Sequence, residues 1–357
     1  MREERISEDF QKYLRMVAPG TLLSEGLENV LRARTGAIIV VSDSEEVMKM
    51  VDGGFHIDCD FNSSALYELA KMDGAIILSG DAQKILFANA QLNPDPLIPS
   101  SETGTRHRTA ERVAKQAGAL VISISQRRNI ITLYRGNIKY ALRDVGVVLA
   151  KANQALQTLE RYKSVLDRAL TNLTAVEFED LATLYDVTTA IQRAEMTRRI
   201  ELEILRYITE LGTEGRLAQM QLEELMVDVK NQGYLIIKDY LNDEEKTPEQ
   251  VAEQIHSWSA DDMLDLTLIG RALGYGSNIN ALDGAVFTRG YRILTKIPRL
   301  PMPVIENLIE TFDTFQQVVA ATINQLDDVE GIGEVRARAI KEGLHRLQEQ
   351  VMLDRHI

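Results

Sequence analysis

The chain has 357 residues, enough at about 150 per domain for two or three domains and a sizeable core. Apolar residues make up 45% and charged residues 26%, an ordinary balance for a chain that folds in water and a poor one for disorder, collagen or a membrane-embedded bundle. Forty basic against 53 acidic residues leave a net charge of −13, which argues against coating of nucleic acid by bulk electrostatics.

The N-terminal run Met1-Arg-Glu-Glu-Arg5 is charged and lacks the apolar stretch of a signal peptide. No segment reaches the roughly 18 uncharged apolar residues of a membrane span, so no membrane partner is expected. One cysteine, Cys59, rules out an internal disulfide framework and a cysteine-clustered zinc site; a reducing compartment, the cytoplasm, is the expectation.

Residues 1–146 alternate short β-branched runs with helical stretches. Residues 36–41, 74–78, 85–88, 120–124 and 130–134 read as strands, several apolar throughout and therefore covered on both faces. Residues 63–72 and 106–117 read as helices between them, which makes this an α/β domain around a mixed sheet.

From residue 147 to about 286 the texture is helical. Leu149, Ala152, Leu156, Leu159, Lys163, Leu166, Leu170 and Leu173 alternate steps of three and four, the seam of a helix packed along its length, with Lys163 the misfit. Gly212 and Gly215 punctuate a pattern that resumes to about Leu241. This middle region reads as a linker and self-association spine. Nine acids against one base at 239–265, with Pro248, read as a boundary or a loosely packed joint. Arg289, Arg292, Lys296 and Arg299 then form a basic strip with no acid between them, its plainer reading being a solvated face.

Residues 287–357 contain an internal repeat. Laying 294–312 on 326–344 matches Leu294 with Leu326, Ile297 with Val329, Leu300 with Ile332, Ile305 with Ala337, Leu308 with Ile340 and Phe312 with Leu344. Two copies of one helix-turn-helix unit that bury their apolar sides on each other explain the match. In the second copy Gly331-Ile332-Gly333 precedes an amphipathic helix, a tight turn whose amides suit a phosphate. The pattern resembles the helix-hairpin-helix motif, a sequence-independent binder of DNA backbones. Arg336, Arg338 and Lys341 would add charge without reading bases. In the first copy Arg299 and Pro301 replace the two glycines, so that hairpin offers fewer amides.

The densest polar cluster of the N-terminal region is Ser101-Glu-Thr-Gly104-Thr105-Arg106-His107-Arg108-Thr109-Ala110-Glu111. Gly104 permits a turn directly before a helix, presenting amides, hydroxyls and guanidinium groups at the positive end of the dipole. Arginines in a first turn oppose that dipole and make sense beside an anion, so the cluster reads as a polyphosphate cradle. Ser125-Gln-Arg127-Arg128-Asn129 sits at a strand end, where α/β sheets place ligands. Asp73-Gly74-Ala75 opens a strand after a helix; an aspartate facing a phosphate cradle is a sensible magnesium ligand, although taken in isolation a plain Asp-Gly turn is the readier explanation. His107, between two arginines, leans neutral and suits hydrogen-bond donation better than general-base work. No Gly-x-x-x-x-Gly-Lys-Ser/Thr loop occurs, which excludes a Walker-type hydrolase.

Asp73-Gly74-Ala75 together with Gly104-Thr-Arg106-His107-Arg108-Thr109 is similar to the paired signature of the diadenylate cyclase family. The order of α/β head, all-α helical middle and all-α helix-hairpin-helix C-terminal domain resembles the DNA-scanning branch of that family over essentially the whole chain. The resemblance implies condensation of two ATP molecules into cyclic di-AMP with release of two pyrophosphates. Asp73 would be the catalytic and metal-binding residue, for magnesium or manganese, activating the 3′ hydroxyl. Gly74 and Leu92 would line the adenosine pocket; Thr105, Arg106, His107, Arg108 and Thr109 would hold the phosphates, helped by Ser125, Arg127 and Arg128. It further implies a homo-octamer, a nucleoid-associated tail that grips branched DNA such as Holliday junctions, and DNA-dependent slowing of synthesis. A DNA binder whose head merely senses nucleotides shares every tail feature, so the head decides between them.

Overall fold

In the computed structural model, which describes residues 8–227, 229–276 and 278–354, the apolar strand runs are sealed on both sides. The charged run at residues 1–5 lies outside the described residues. The N-terminal elements are α1 (Glu8–Met16), α2 (Leu22–Arg32), β1 (Ala37–Val41), α3 (Glu45–Met50), β2 (Val51–Asp52), β3 (Phe55–Asp60), α4 (Ser63–Leu69), β4 (Ala75–Leu78), β5 (Lys84–Leu92), α5 (Thr105–Ala117), β6 (Leu120–Ser125), β7 (Ile130–Arg135) and β8 (Ile138–Ala141). The sheet runs β2-β5-β4-β1-β6-β7-β8, with β3 also on β5; β1 and β4 are parallel and the remaining pairs antiparallel. The mixed α/β head is thus as expected.

Alternation along each strand divides the core in two. Ile39, Val41, Ile76, Leu78, Ile122 and Ile124 pack under α1, α2 and α4 through Phe10, Leu27 and Leu66. Their neighbours Ile38, Val40, Ile77 and Val121, with Tyr134, pack under α3 and α5 through Val47, Val113 and Ala114. A strand covered on both faces carries apolar residues at both parities, which is why β1, β4 and β6 were legible as continuous runs. Sequence reading misses β2, β3 and β8, and stops β5 short at Ala88. β3 has mostly exposed residues and β2 only two, so hydrogen bonding to β5 holds them without an apolar signature.

The following helices are α6 (Val145–Glu179), α7 (Leu184–Leu211), α8 (Arg216–Met226), α9 (Gln232–Tyr240), α10 (Pro248–Ser257), α11 (Leu266–Ala272), α12 (Tyr291–Leu294), α13 (Met302–Phe312), α14 (Phe315–Ala320), α15 (Ile323–Asp327) and α16 (Glu334–Asp354). Ala152, Leu156, Leu159, Leu166, Leu170 and Leu173 of α6 are buried as the seam requires, while Leu149 at its start is exposed. The chain divides into two compact units, Met1–Gln154 with Ile204–Met220, and Ala155–Glu203 with Gln221–Ile357. No helix among the described residues is long and apolar enough to cross a membrane.

The second unit corrects two expectations. The acidic stretch is no loose joint: Asp239 is buried and accepts hydrogen bonds from the amides of Tyr291 at 2.6 Å and Arg292 at 3.0 Å. Pro248 opens α10 behind a reciprocal Thr247–Gln250 cap. Nor is the basic strip one solvated face. Arg292 is wholly buried, donating to Thr174 Oγ1 at 2.9 Å and paired with Glu177, and Arg289 donates to the carbonyl of Leu241 at 2.9 Å. Charge spacing alone does not separate an arginine that satisfies buried acceptors from one that meets water.

The repeated tail buries its matched positions in one cluster, Phe312 only partly. The correspondence extends to the backbone: Arg299 and Gly331, which occupy the same place in the two copies, both take left-handed conformations, at φ +62° and +83°. Asn307 of the first copy donates to the carbonyl of Glu330 in the second at 2.9 Å.

Candidate active site

Asp73 projects from the turn between α4 and β4, its carboxylate fully in solvent. Glycine follows because the turn runs against β5: a Cβ on Gly74 would stand 2.3 Å from the carbonyl carbon and 2.4 Å from the Cα of Asn89. β5 accommodates the approach with a register shift, Asn89 taking φ +52° between the pairs Ala75–Ala90 and Ile77–Phe87.

Across from this turn, α5 begins at Thr105. Gly104 precedes it and no side chain caps it, so its first amides and the positive end of its dipole are left for an incoming anion. Arg106 reaches back from α5 to place Nη2 3.2 Å from Asp73 Oδ1. It crosses the entry to β1 where Gly36 leaves room, since a Cβ there would fall 2.0 Å from Arg106 Nη1.

A cavity of about 1020 Å³ opens between these elements. Asp73, Gly74, Leu92, Thr105, Arg106, His107, Thr109, Ser125, Arg127 and Arg128, all singled out from sequence, line it. Arg108 does not. Two residues along a helix from Arg106, it turns to the other side and donates to the carbonyl of Thr103 at 3.1 Å, bracing the loop that leads into α5. Ser125 Oγ accepts the amide of Arg128 at 3.2 Å and so closes the turn after β6. Because β6 is antiparallel to β1, the cavity lies at the carboxyl end of β6 but at the amino ends of the parallel pair β1 and β4.

Two cavity-lining residues, His107 and Glu102, are joined through Tyr134 and Lys139 in a relay that the sequence reading missed. His107 Nδ1 lies 3.0 Å from the Tyr134 hydroxyl, which donates to Glu102 Oε1 at 2.9 Å, and Lys139 pairs with the same carboxylate. Glu102 sits inside the polar run but carried no role there. Tyr134 and Lys139 lie opposite each other across β7 and β8, a pairing that only the sheet register reveals. Burial works against the Glu102 carboxylate, yet Lys139 and Tyr134 outweigh it and hold the group below its ordinary range. Burial lowers the pKa of His107; Glu102 opposes that, and Arg128, Lys139 and Arg106 add to it, so the ring is neutral near pH 7.

No group of three or more His, Cys, Asp or Glu side chains able to hold a metal occurs among the described residues. Asp73 alone fits a hard divalent cation of the magnesium type, which takes one or two protein carboxylates and completes its shell with substrate phosphates and water.

The model of the DisA bacterial checkpoint controller nucleotide-binding region matches residues 24–138, and that of the DisA linker region matches residues 142–282. DNA integrity scanning protein DisA of Carboxydothermus hydrogenoformans is 61% identical over 351 residues, 98% of this chain and 99% of its own. The protein of the same name from Symbiobacterium thermophilum is 58% identical over 349 residues, 98% of each chain. The chain belongs to the DisA family. Among solved structures, DacA from Staphylococcus aureus in double-mutant form is 23% identical, covering 39% of this chain and 91% of its own with a TM-score of 0.30. As a DisA-family protein the chain is a diadenylate cyclase, and the residues lining the cavity all fall within the matched range 24–138.

The DisA family relationship extends through the tail, where the hairpin residues are distributed unevenly. Gly331 and Gly333 are exposed around a buried Ile332. A Cβ on Gly333 would meet nothing within 4 Å, so this corner is open to a ligand. The cations beside it are engaged within the chain: Arg336 folds back onto the carbonyl of Gly331, Arg338 pairs with Glu334 at 2.6 Å, and Lys341 donates to the carbonyl of Val319 at 2.7 Å. Lys341 thereby ties α16 to the end of α14, while Arg338 sits on the exposed first turns of α16.

Proposed function

We propose that this diadenylate cyclase condenses two ATP molecules into cyclic di-AMP and two pyrophosphates at the cavity between Asp73 and α5. One observation carries the reading: a fully solvated carboxylate and an uncapped, arginine-bearing helix start open into the same cavity, with Asp73 and Arg106 in contact at 3.2 Å. Each 3′ hydroxyl oxygen attacks the α-phosphorus of the other nucleotide and passes its proton to solvent by way of the Asp73 carboxylate, while the α–β phosphoanhydride breaks in line and pyrophosphate leaves. Because attack is reciprocal, two cavities must face each other, and an isolated subunit is inactive.

Asp73 orients the attacking hydroxyl and, with the triphosphate, would hold the divalent cation. Magnesium, or manganese in its place, would polarise the α-phosphoryl oxygens when bound. Thr105, Arg106 and Thr109 line the phosphate side, with His107 beside them in the same helical turn; Gly74 and Leu92 line the adenosine side; Ser125, Arg127 and Arg128 close the far wall. Arg108 acts through the loop it braces. The assembly that pairs the cavities is a homo-octamer, with the helical middle region as its spine.

The tail, residues 287–357, takes branched double-stranded DNA such as a Holliday junction on the amides around Gly331, Ile332 and Gly333, with Arg336, Arg338 and Lys341 as the adjoining charge. Binding there slows synthesis and assigns the protein to the cytoplasm at the nucleoid. Incubation of the purified protein with ATP and magnesium, with and without a four-way junction, followed by mass spectrometry of the product, tests the reading. Cyclic di-AMP that forms with the wild type, is lost in Asp73→Asn and decreases with junction DNA is the expected result.

A further inference from the structure

The orientation of His107 has a consequence for the nucleotide it faces. Tyr134 is almost wholly buried, and burial followed by the Glu102 carboxylate pushes its hydroxyl pKa far above the ordinary value, so it keeps its proton. That single proton is committed to Glu102 Oε1 at 2.9 Å. The contact of 3.0 Å between the same hydroxyl and His107 Nδ1 can then be a hydrogen bond only if Nδ1 carries the hydrogen. In a neutral ring Nε2 is left as a bare lone pair. Nε2 is buried, and no partner for it occurs among the described residues, although the ring lines the cavity.

We propose that Glu102, Tyr134 and Lys139 are positioning residues that lock His107 in its Nδ1–H form, so that it meets the nucleotide as a hydrogen-bond acceptor. An acceptor cannot serve a phosphate oxygen; it takes a hydroxyl or amino hydrogen from the nucleoside part of ATP. This reverses the donor role expected from the two flanking arginines, because the arginines set the ring's charge while the relay sets its tautomer. Lys139 serves by keeping Glu102 ionised and pointed at Tyr134, from its place across the β7–β8 ladder. The charged groups around the ring are Glu102 from the loop before α5, Arg106 from α5, Arg128 from the β6–β7 turn and Lys139 from β8.

The inference rests on the cavity being the ATP site, and the test separates the two. In the full-length protein, Glu102→Ala frees the Tyr134 hydroxyl to donate to Nδ1 and moves the ring hydrogen to Nε2; kcat/KM for cyclic di-AMP synthesis is expected to fall about tenfold with the melting temperature unchanged. Glu102→Gln, whose amide oxygen still accepts from Tyr134, is expected to retain most of the activity. Calorimetric titration with α,β-methylene ATP and magnesium, in two buffers of different ionisation enthalpy, should give the same proton count for wild type and His107→Gln. Uptake of about one proton per site that is missing in His107→Gln would mean that His107 becomes a phosphate donor, and would overturn the proposal. So would undiminished synthesis by Glu102→Ala, or equal losses in Glu102→Ala and Glu102→Gln that follow the melting temperature. Persistence of synthesis in Asp73→Asn would instead refute the assignment of the cavity itself.

Discussion

Asp73 Oδ1 and Arg106 Nη2 meet at 3.2 Å from positions 33 apart in the chain, one on a turn and the other in the first turn of a helix. With the carboxylate fully in solvent the pair contributes little to stability, so on the proposed mechanism it would give way readily to a cation at the carboxylate and phosphates at the guanidinium. Asp73→Asn is expected to lower cyclic di-AMP formation by at least about 100-fold, the scale for losing one group that supports a developing charge. Thermal melting should not move. A variant that still makes product, measured by mass spectrometry, would remove Asp73 from the chemistry.

Gly36 determines where Arg106 lies. A methyl group there would sit 2.0 Å from Arg106 Nη1, and the guanidinium is the part free to yield. Gly36→Ala is expected to displace it and weaken ATP binding about tenfold, equivalent to about 1.4 kcal/mol. Nucleotide titration checks the affinity, and unchanged binding would show that Arg106 does not hold phosphate from this position.

The two hairpin glycines differ in what they demand. Gly331 holds φ +83° beside Val304, so Gly331→Ala is expected to cost about 1–2 kcal/mol and lower the melting temperature. Gly333 faces open space at an ordinary φ, so Gly333→Ala should leave stability unchanged. Gly333→Glu, which adds bulk and negative charge to that corner, is expected to weaken four-way-junction binding at least tenfold at constant stability, as read by gel shift beside melting curves.

Arg292 and Glu177 are both fully buried and paired, with Thr174 and Tyr240 completing the network. Arg292→Met leaves an uncompensated buried carboxylate and is expected to cost about 3–5 kcal/mol. Adding Glu177→Gln removes the orphaned charge and should recover much of that loss. A double variant no more stable than the single one, by denaturant titration, would show that packing rather than charge pairing dominates there.

Glu195 is buried against Arg198, Arg199 and His256. Burial raises its pKa, but bonds from His256, Arg198 and Arg199 outweigh that and hold it down to about 2. A carboxylate depressed in the folded state adds stability above its unfolded pKa, and that stability is lost as pH falls through the folded value. Glu195→Gln is therefore expected to be less stable than the wild type at pH 7, by up to about 3 kcal/mol. The gap should narrow as pH falls from about 4.5 toward 2; melting curves across that range that stay parallel would contradict the assignment.

Doubly covered strands such as β1 and β4 declare themselves in sequence, since apolar residues at both parities have no other explanation. The α6 seam and the duplicated tail are equally visible, because helical burial repeats at fixed spacing. The polar runs at 73–75, 101–111 and 125–129 could be read as parts of a phosphate site for a related reason: glycines and arginines placed at helix and strand ends are local features. What remained hidden is set by contacts between distant segments. Register across β7 and β8 joins Lys139 to Tyr134 and makes the relay behind His107. Helix rotation turns Arg108 away from the cavity that Arg106 enters. Burial converts Asp239 and Arg292 from apparent members of charged strips into ties within the second unit. Residue type and spacing determine which groups the chain offers. The partner of each group, and hence its proton, charge and direction, follows from packing that brings segments together across dozens of positions.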